Sequence, residues 1–254
     1  MNLHRHLKPV VLVGVLALCA AWAQTATAWA ASKTVFGEPR QLGQGTARSL
    51  VVLNDRGDPV TIGIAFTRDA LSGLPKGQFP PEVMLALPKK APVPPFTHIV
   101  INWNPQGHEP PGIYDVAHFD FHFYTIPNRE RVKIKAGDAA RFAKAPPAQY
   151  LPADYKPAPG GVPRMGAHWI DMTSPEFHGS PFTTTFIYGT YNGAVTFYEP
   201  MIAMSFLQEG RNYSSPIKQP TAFKKKGYLP QTYKVIHDGD TGEYRILLDE
   251  LTRR

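Results

Sequence analysis

The sequence predicts a mainly β protein, an antiparallel barrel or sandwich with long proline-rich loops and a few short helices. Three observations carry this. The chain holds 26 prolines and 21 glycines, and these bound many short apolar runs. Few windows keep a helical period for more than two turns. The run Ala117-His118-Phe119-Asp120-Phe121-His122-Phe123-Tyr124 alternates polar and aromatic residues with the two-residue period of a strand.

Residues 1–30 read as a secretory signal peptide. Arg5 and Lys8 make a positive start, and Val10 to Ala23 is an apolar run too short to cross a bilayer comfortably. Small-x-small sites follow at Ala21-Trp22-Ala23, Ala26-Thr27-Ala28 and Ala28-Trp29-Ala30. Leu18 before Cys19 disfavours a lipoprotein. Residues 31–254 then form a single β-rich domain.

Within that domain, Leu50–Leu53 and Val60–Phe66 predict a hairpin around residues 54–59. Thr67 to Leu71 predicts a capped helical turn. Glu82–Leu87 and His98–Trp103 are strands, and 116–125 is the alternating strand. Ala136–Ala143 is a short helix. The segment Pro146–Pro163 is rich in proline, but Leu151 and two tyrosines favour an ordered loop over a linker. Asn192-Gly193 is a strong two-residue hairpin signal, because both central positions take positive φ. It joins Thr183–Tyr191 to Ala194–Met204 and predicts Tyr191 opposite Ala194, Tyr188 opposite Phe197 and Phe186 opposite Glu199. Tyr233–His237 and Glu243–Leu248 form a last hairpin.

Composition limits the function classes. The only cysteine, Cys19, lies in the signal segment, so the domain has no disulfide, thiolate site or cysteine nucleophile. An exported chain without disulfides suits a bacterial periplasm better than a small disulfide-stapled extracellular scaffold, and a periplasmic or secreted location is expected. Without Arg5 and Lys8, 25 basic residues face 20 acidic ones. That excess is mild. The one basic run, Lys224-Lys225-Lys226, lacks a longer basic stripe and reads as a solvated loop, so no nucleic-acid partner is expected. No stable membrane span is expected either. A nucleophile elbow, a P-loop and a dinucleotide fingerprint are all missing.

The alternating strand carries the chemistry. His118, Asp120 and His122 share one face, and Phe119, Phe121 and Phe123 share the other. His168 and Glu199 also stand among apolar neighbours, where a carboxylate needs a partner or a cation. The expected ligand set is His118, His122, His168 and Glu199, with Asp120 as a fifth ligand or as a partner that orients an imidazole. Zn, Mn, Fe, Ni and Cu all suit these donor types as divalent ions. His108 and Glu109, in the rigid loop before the strand, are the candidates for proton transfer or substrate contact. A polar network without metal is the competing explanation.

The runs Trp103–His108, His118–Tyr124, Met165–Trp169, Phe186–Gly189 and Phe197–Met201 resemble a family of exported bacterial proteins. That family has a domain of unknown function marked by an HxDxH strand. The likeness covers about residues 50–210. It implies an all-β homo-oligomer with a metal centre at His118, Asp120, His122, His168 and Glu199, and it implies no reaction. The donor set is also similar to that of cupins, but order and spacing differ, so that likeness is one of chemistry alone. Two functions remain open: a metalloenzyme acting on a small oxygenated substrate, and a non-catalytic envelope module that binds metal or a small-molecule ligand. A purely structural envelope protein is a weaker third.

Overall fold

The computed structural model describes residues 32–77 and 81–254. The expected signal peptide lies outside the described residues. The chain opens with β1 (Lys33–Phe36), β2 (Arg40–Leu42), β3 (Gly45–Leu53) and β4 (Pro59–Phe66). Next come β5 (Val83–Ala86), β6 (His98–Asn104) and β7 (His118–Tyr124). Two short helices, α1 (Asn128–Arg131) and α2 (Ala139–Ala143), precede β8 (Tyr155–Pro157), β9 (Ala167–Asp171), β10 (Thr184–Tyr191) and β11 (Ala194–Ala203). Then follow α3 (Met204–Gln208), β12 (Tyr213–Pro216), β13 (Tyr228–Leu229), β14 (Thr232–His237), β15 (Tyr244–Asp249) and β16 (Thr252–Arg253).

The strands form two antiparallel seven-stranded sheets. One runs β1-β3-β4-β15-β14-β12, with β2 also on β3; the other runs β5-β6-β7-β11-β10-β9-β8. A separate ribbon pairs β13 with β16. The sheets pack as a sandwich, and no barrel closes among the described residues. This decides between the two expected architectures.

The sandwich core is where the alternation of β7 places it. Phe119, Phe121 and Phe123 point at the opposite sheet and are buried. Phe121 stacks on Phe66 of β4 with ring centroids 6.2 Å apart. Farther along, Phe186 of β10 packs on Tyr233 of β14 at 5.4 Å. These aromatic contacts join the layers by removing large apolar surfaces from water.

Several sequence expectations hold with shifted ends. The proline-rich segment is ordered: it carries a 3-10 turn at Ala148–Tyr150 and edge strand β8, and Tyr155 Oη donates to the Phe186 carbonyl at 2.9 Å. The turn after β4 is a 3-10 helix, Arg68–Leu71, without a side-chain cap. The Thr67 hydroxyl instead accepts from the Thr46 amide at 3.1 Å. The hairpin register is right only next to its turn. Tyr191 faces Ala194, but Tyr188 faces Tyr198 and Phe186 faces Pro200, because a bulge at Gly189/Thr190 shifts the pairing. The bulge follows from Gly189, whose missing side chain makes room for the Phe197 ring; a Cβ there would lie 2.0 Å from that ring.

Phe121→Ala removes the ring that bridges the two layers. It is expected to lower stability by about 3–5 kcal/mol. Urea denaturation measures this, and a loss below about 1 kcal/mol would contradict the packing described.

Candidate metal centres

Every residue of β7 is buried, so both of its faces are covered. The face away from the sandwich core carries His118, Asp120, His122 and Tyr124. A second layer over it comes from the segment after β7. Ile126 and Met165 pack on Val100, Tyr124 and Phe197. Tyr124 Oη donates to the Arg164 carbonyl at 3.2 Å, and the Arg131 guanidinium lies 5.0 Å from the Tyr124 ring. Arg131 is itself held by Glu82. Polar groups on β7 are thereby kept from bulk water.

His118, Asp120 and His108 form the first group. A turn after β6 delivers His108. Gly107 takes φ 70° there, and a Cβ would meet the Tyr114 carbonyl at 2.1 Å, so only glycine fits. His108 Nδ1 lies 2.8 Å from the Glu109 carbonyl, and His118 Nδ1 lies 2.7 Å from the Val116 carbonyl. A carbonyl only accepts, so both rings carry their proton on Nδ1. Their Nε2 atoms turn to Asp120. His118 Nε2 is 3.1 Å from Oδ1, and His108 Nε2 is 3.6 Å from Oδ2. Asn104 steadies the carboxylate by donating to Oδ2 at 2.7 Å. His118 Nε2 and Asp120 Oδ1 nevertheless have no hydrogen-bond partner. A lone pair that faces a carboxylate oxygen needs a second proton or a cation between them.

The second group is His122, His168 and Glu199. β11 pairs β7 through Tyr198↔Phe123 and Met201↔Asp120, which sets Glu199 beside His122. His122 Nε2 is 3.3 Å from Glu199 Oε1. His168 comes from β9, two strands from β11, and pairs Gly189 of the intervening β10. With no side chain at Gly189 in the way, His168 Nε2 comes within 3.6 Å of Glu199 Oε2. The Phe197 ring walls the site, with centroids 4.8 Å from His122 and 5.2 Å from His168. Both His122 nitrogens and Glu199 Oε2 are buried without a hydrogen-bond partner.

Electrostatics separate the two carboxylates. Burial opposes the charge on Asp120, but the positive charge that His118 and His108 carry when a second proton sits on each ring outweighs it and holds the Asp120 pKa well below the ordinary value. Burial and the nearby Asp120 charge push Glu199 well above the carboxylate range. Burial also drives His122 down to about 3 and His168 down to about 4, so both stay neutral with a lone pair to donate. For His108, burial works downward, but Asp120 and Glu109 raise the pKa overall. Neutral imidazoles and a carboxylate that is ionised when a cation arrives are the donors that Zn, Mn, Fe, Ni and Cu sites use.

The sequence reading gathers five ligands into one centre. The structure divides them between two groups and adds His108 to the first. The reason is the strand rise. Residues four apart on a strand are about 13 Å apart, so His118 and His122 do not share an ion. The Glu109 carboxylate belongs to neither group, and its backbone carbonyl is what meets His108. Asn104 and Gly189 went unread as site residues. Asn104 lies in the run Trp103–His108 that carries the family resemblance; for Gly189 only the strand register reveals a role.

A family model described as TTHB210-like: Hypothetical protein TTHB210 matches residues 54–103. That stretch covers β4, β5 and nearly all of β6, and ends before either group begins. No curated protein matches the chain. No solved structure matches it either.

The raised Glu199 has a stability consequence in metal-free protein. An acid that keeps its proton in the fold, above the ordinary 4.5 where the unfolded chain loses it, makes stability fall as pH rises. The depressed histidines act in the opposite sense below their ordinary 6.5. Comparison with Glu199→Gln isolates the carboxylate. Chelator-treated wild type is expected to lose stability more steeply than Glu199→Gln as pH is raised above 4.5, read from urea midpoints. Parallel pH curves would contradict the assignment.

Proposed function

We propose that this is an exported metalloenzyme, periplasmic or secreted, that binds two divalent transition ions and acts on a small oxygenated substrate. His108, His118 and Asp120 hold one ion, and His122, His168 and Glu199 hold the other. One observation carries the reading: buried imidazole nitrogens face buried carboxylate oxygens in both groups, and His118 Nε2, Asp120 Oδ1, His122 Nε2 and Glu199 Oε2 have no hydrogen-bond partner. Such an arrangement is costly for protein alone and ordinary around a cation.

Three protein donors per ion leave positions for water or substrate, which is the catalytic pattern. When bound, such an ion polarises a carbonyl or lowers the pKa of water. The chain's own residues do the positioning. The Val116 and Glu109 carbonyls fix the tautomers of His118 and His108, Asn104 orients Asp120, and Phe197 keeps water from His122 and His168. His108 is exposed and stands where protons enter and leave the first group, with the Glu109 carboxylate free in the same loop. Export rests on the character of residues 1–30, and a homo-oligomeric state rests on the family resemblance.

A second reading is favoured by the depth of burial: His118, His122 and Glu199 are at most 1% exposed. In that reading the ions are retained for structure or storage, and the protein is a non-catalytic envelope module.

Native protein is expected to carry two transition-metal equivalents by elemental analysis, with His122→Ala and Asp120→Ala each removing one. Both variants keeping both ions would refute the ligand sets. Cobalt-substituted protein separates the readings, since azide shifts its visible spectrum only where a coordination position is open; an unchanged spectrum favours retention. Deletion of residues 1–30 is expected to abolish export without preventing folding, and an exported truncated chain would contradict the signal assignment.

A further inference from the structure

A second chemical feature lies away from both metal groups. A cavity of about 590 Å³ opens at the hairpin end of the metal-bearing sheet, where Thr125 continues β7 and Thr196 and Tyr198 stand on β11. None of the six triad residues lines it. We propose that this cavity binds a small amphipathic organic anion, an acidic head on an apolar body.

The charge on its walls is one-sided. Lys133, Arg141, Lys224 and Lys225 reach it, against the single acid Glu130. Among the described residues, none of the four cations lies within 4.0 Å of a carboxylate oxygen. Lys225 is the most confined. Its Nζ donates to the Thr125 carbonyl and, at 3.2 Å, to the Thr125 hydroxyl. An ammonium has three N–H donors, so one remains for an anion. Burial pulls the Lys225 pKa down, opposed by Glu130 and aided by Lys224, so an added anion restores what the cavity withholds.

A further polar group is left over on the same wall. Thr196 is 3% exposed, and its buried hydroxyl has no hydrogen-bond partner. Buried hydroxyls are nearly always satisfied, so one on a cavity wall is available to a ligand. Apart from Asn192, Thr125 and the tyrosine hydroxyls, the remaining walls are apolar, with Ile126, Ile134, Tyr150, Tyr198 and Phe223 among them. Inorganic phosphate alone would leave these surfaces unused. The volume fits a ligand of ordinary small-molecule size. The run Lys224-Lys225-Lys226, expected to be a solvated loop, thus puts its first two lysines on a cavity wall.

Calorimetry on the processed, full-length domain tests this with four probes. Decanoate and 2-naphthoate carry both features, decanol lacks the charge, and inorganic phosphate lacks the apolar body. At least one carboxylate is expected to bind saturably at one per chain, at least about tenfold more tightly than decanol or phosphate. Decanoate alone binding points to a lipid-derived ligand, and naphthoate alone to an aromatic one; both outcomes support the class. Lys225→Gln and the exposed Lys224→Gln are each expected to weaken binding about tenfold. Thr196→Val is expected to weaken it while raising the stability of ligand-free protein, a combination that a merely structural hydroxyl would not produce. Binding must also survive chelation, which keeps this proposal separate from the metal centres. The proposal fails if neither carboxylate binds, if decanol binds as well, if Lys224→Gln and Lys225→Gln leave affinity unchanged, or if chelation abolishes binding.

Discussion

Two carboxylates and three imidazoles share the outer face of one sheet, largely shielded from water, and the exposed His108 reaches one of those carboxylates from a loop. That constraint organises the molecule. A buried carboxylate must find donors or a cation, and Asp120 finds only one good donor, Asn104. Glu199 finds none that closes a proper hydrogen bond at Oε2. Around each acid the chain places two Nε2 atoms, and in the first group the Nδ1 protons are already committed to backbone carbonyls. Lone pairs and carboxylate oxygens therefore point at the same spot in each group, the donor arrangement that a cation site uses.

The sandwich exists on the other side of the same strand. Phe119, Phe121 and Phe123 lock β7 into the core, so the polar residues between them have no freedom to turn away. One strand carries both the layer packing and most of the first metal group. Covering the polar face then falls to the segments between β6 and β9. Proline and glycine shape these segments into ordered turns, and they supply His108, Arg131 and Met165 where a bare sheet would expose the site to solvent. The neighbouring cavity at the hairpin end repeats the theme with opposite sign: four cations against one acid, and a hydroxyl without a partner.

Much of this was legible in the chain. Strict alternation identified β7 and its two faces, Asn192-Gly193 located the hairpin, and a carboxylate among aromatics marked Glu199. The register beyond the hairpin turn was not legible. It depends on a bulge that Gly189 permits only because Phe197 comes to lie across it. For the same reason His168 could be suspected as a ligand, while its route across β10 could not be seen.

By itself, then, the sequence determined the mainly β class, five of the six donor residues and the face on which β7 carries its share of them, because side-chain alternation is a local property of extended backbone. Tertiary structure alone decided how those donors are shared. The rise along β7 already separates its two histidines, but only strand order brought Glu199 and His168 to one of them, and only a glycine-shaped loop brought His108 to the other. Grouping depends on distances between segments remote in sequence, and no local pattern encodes those.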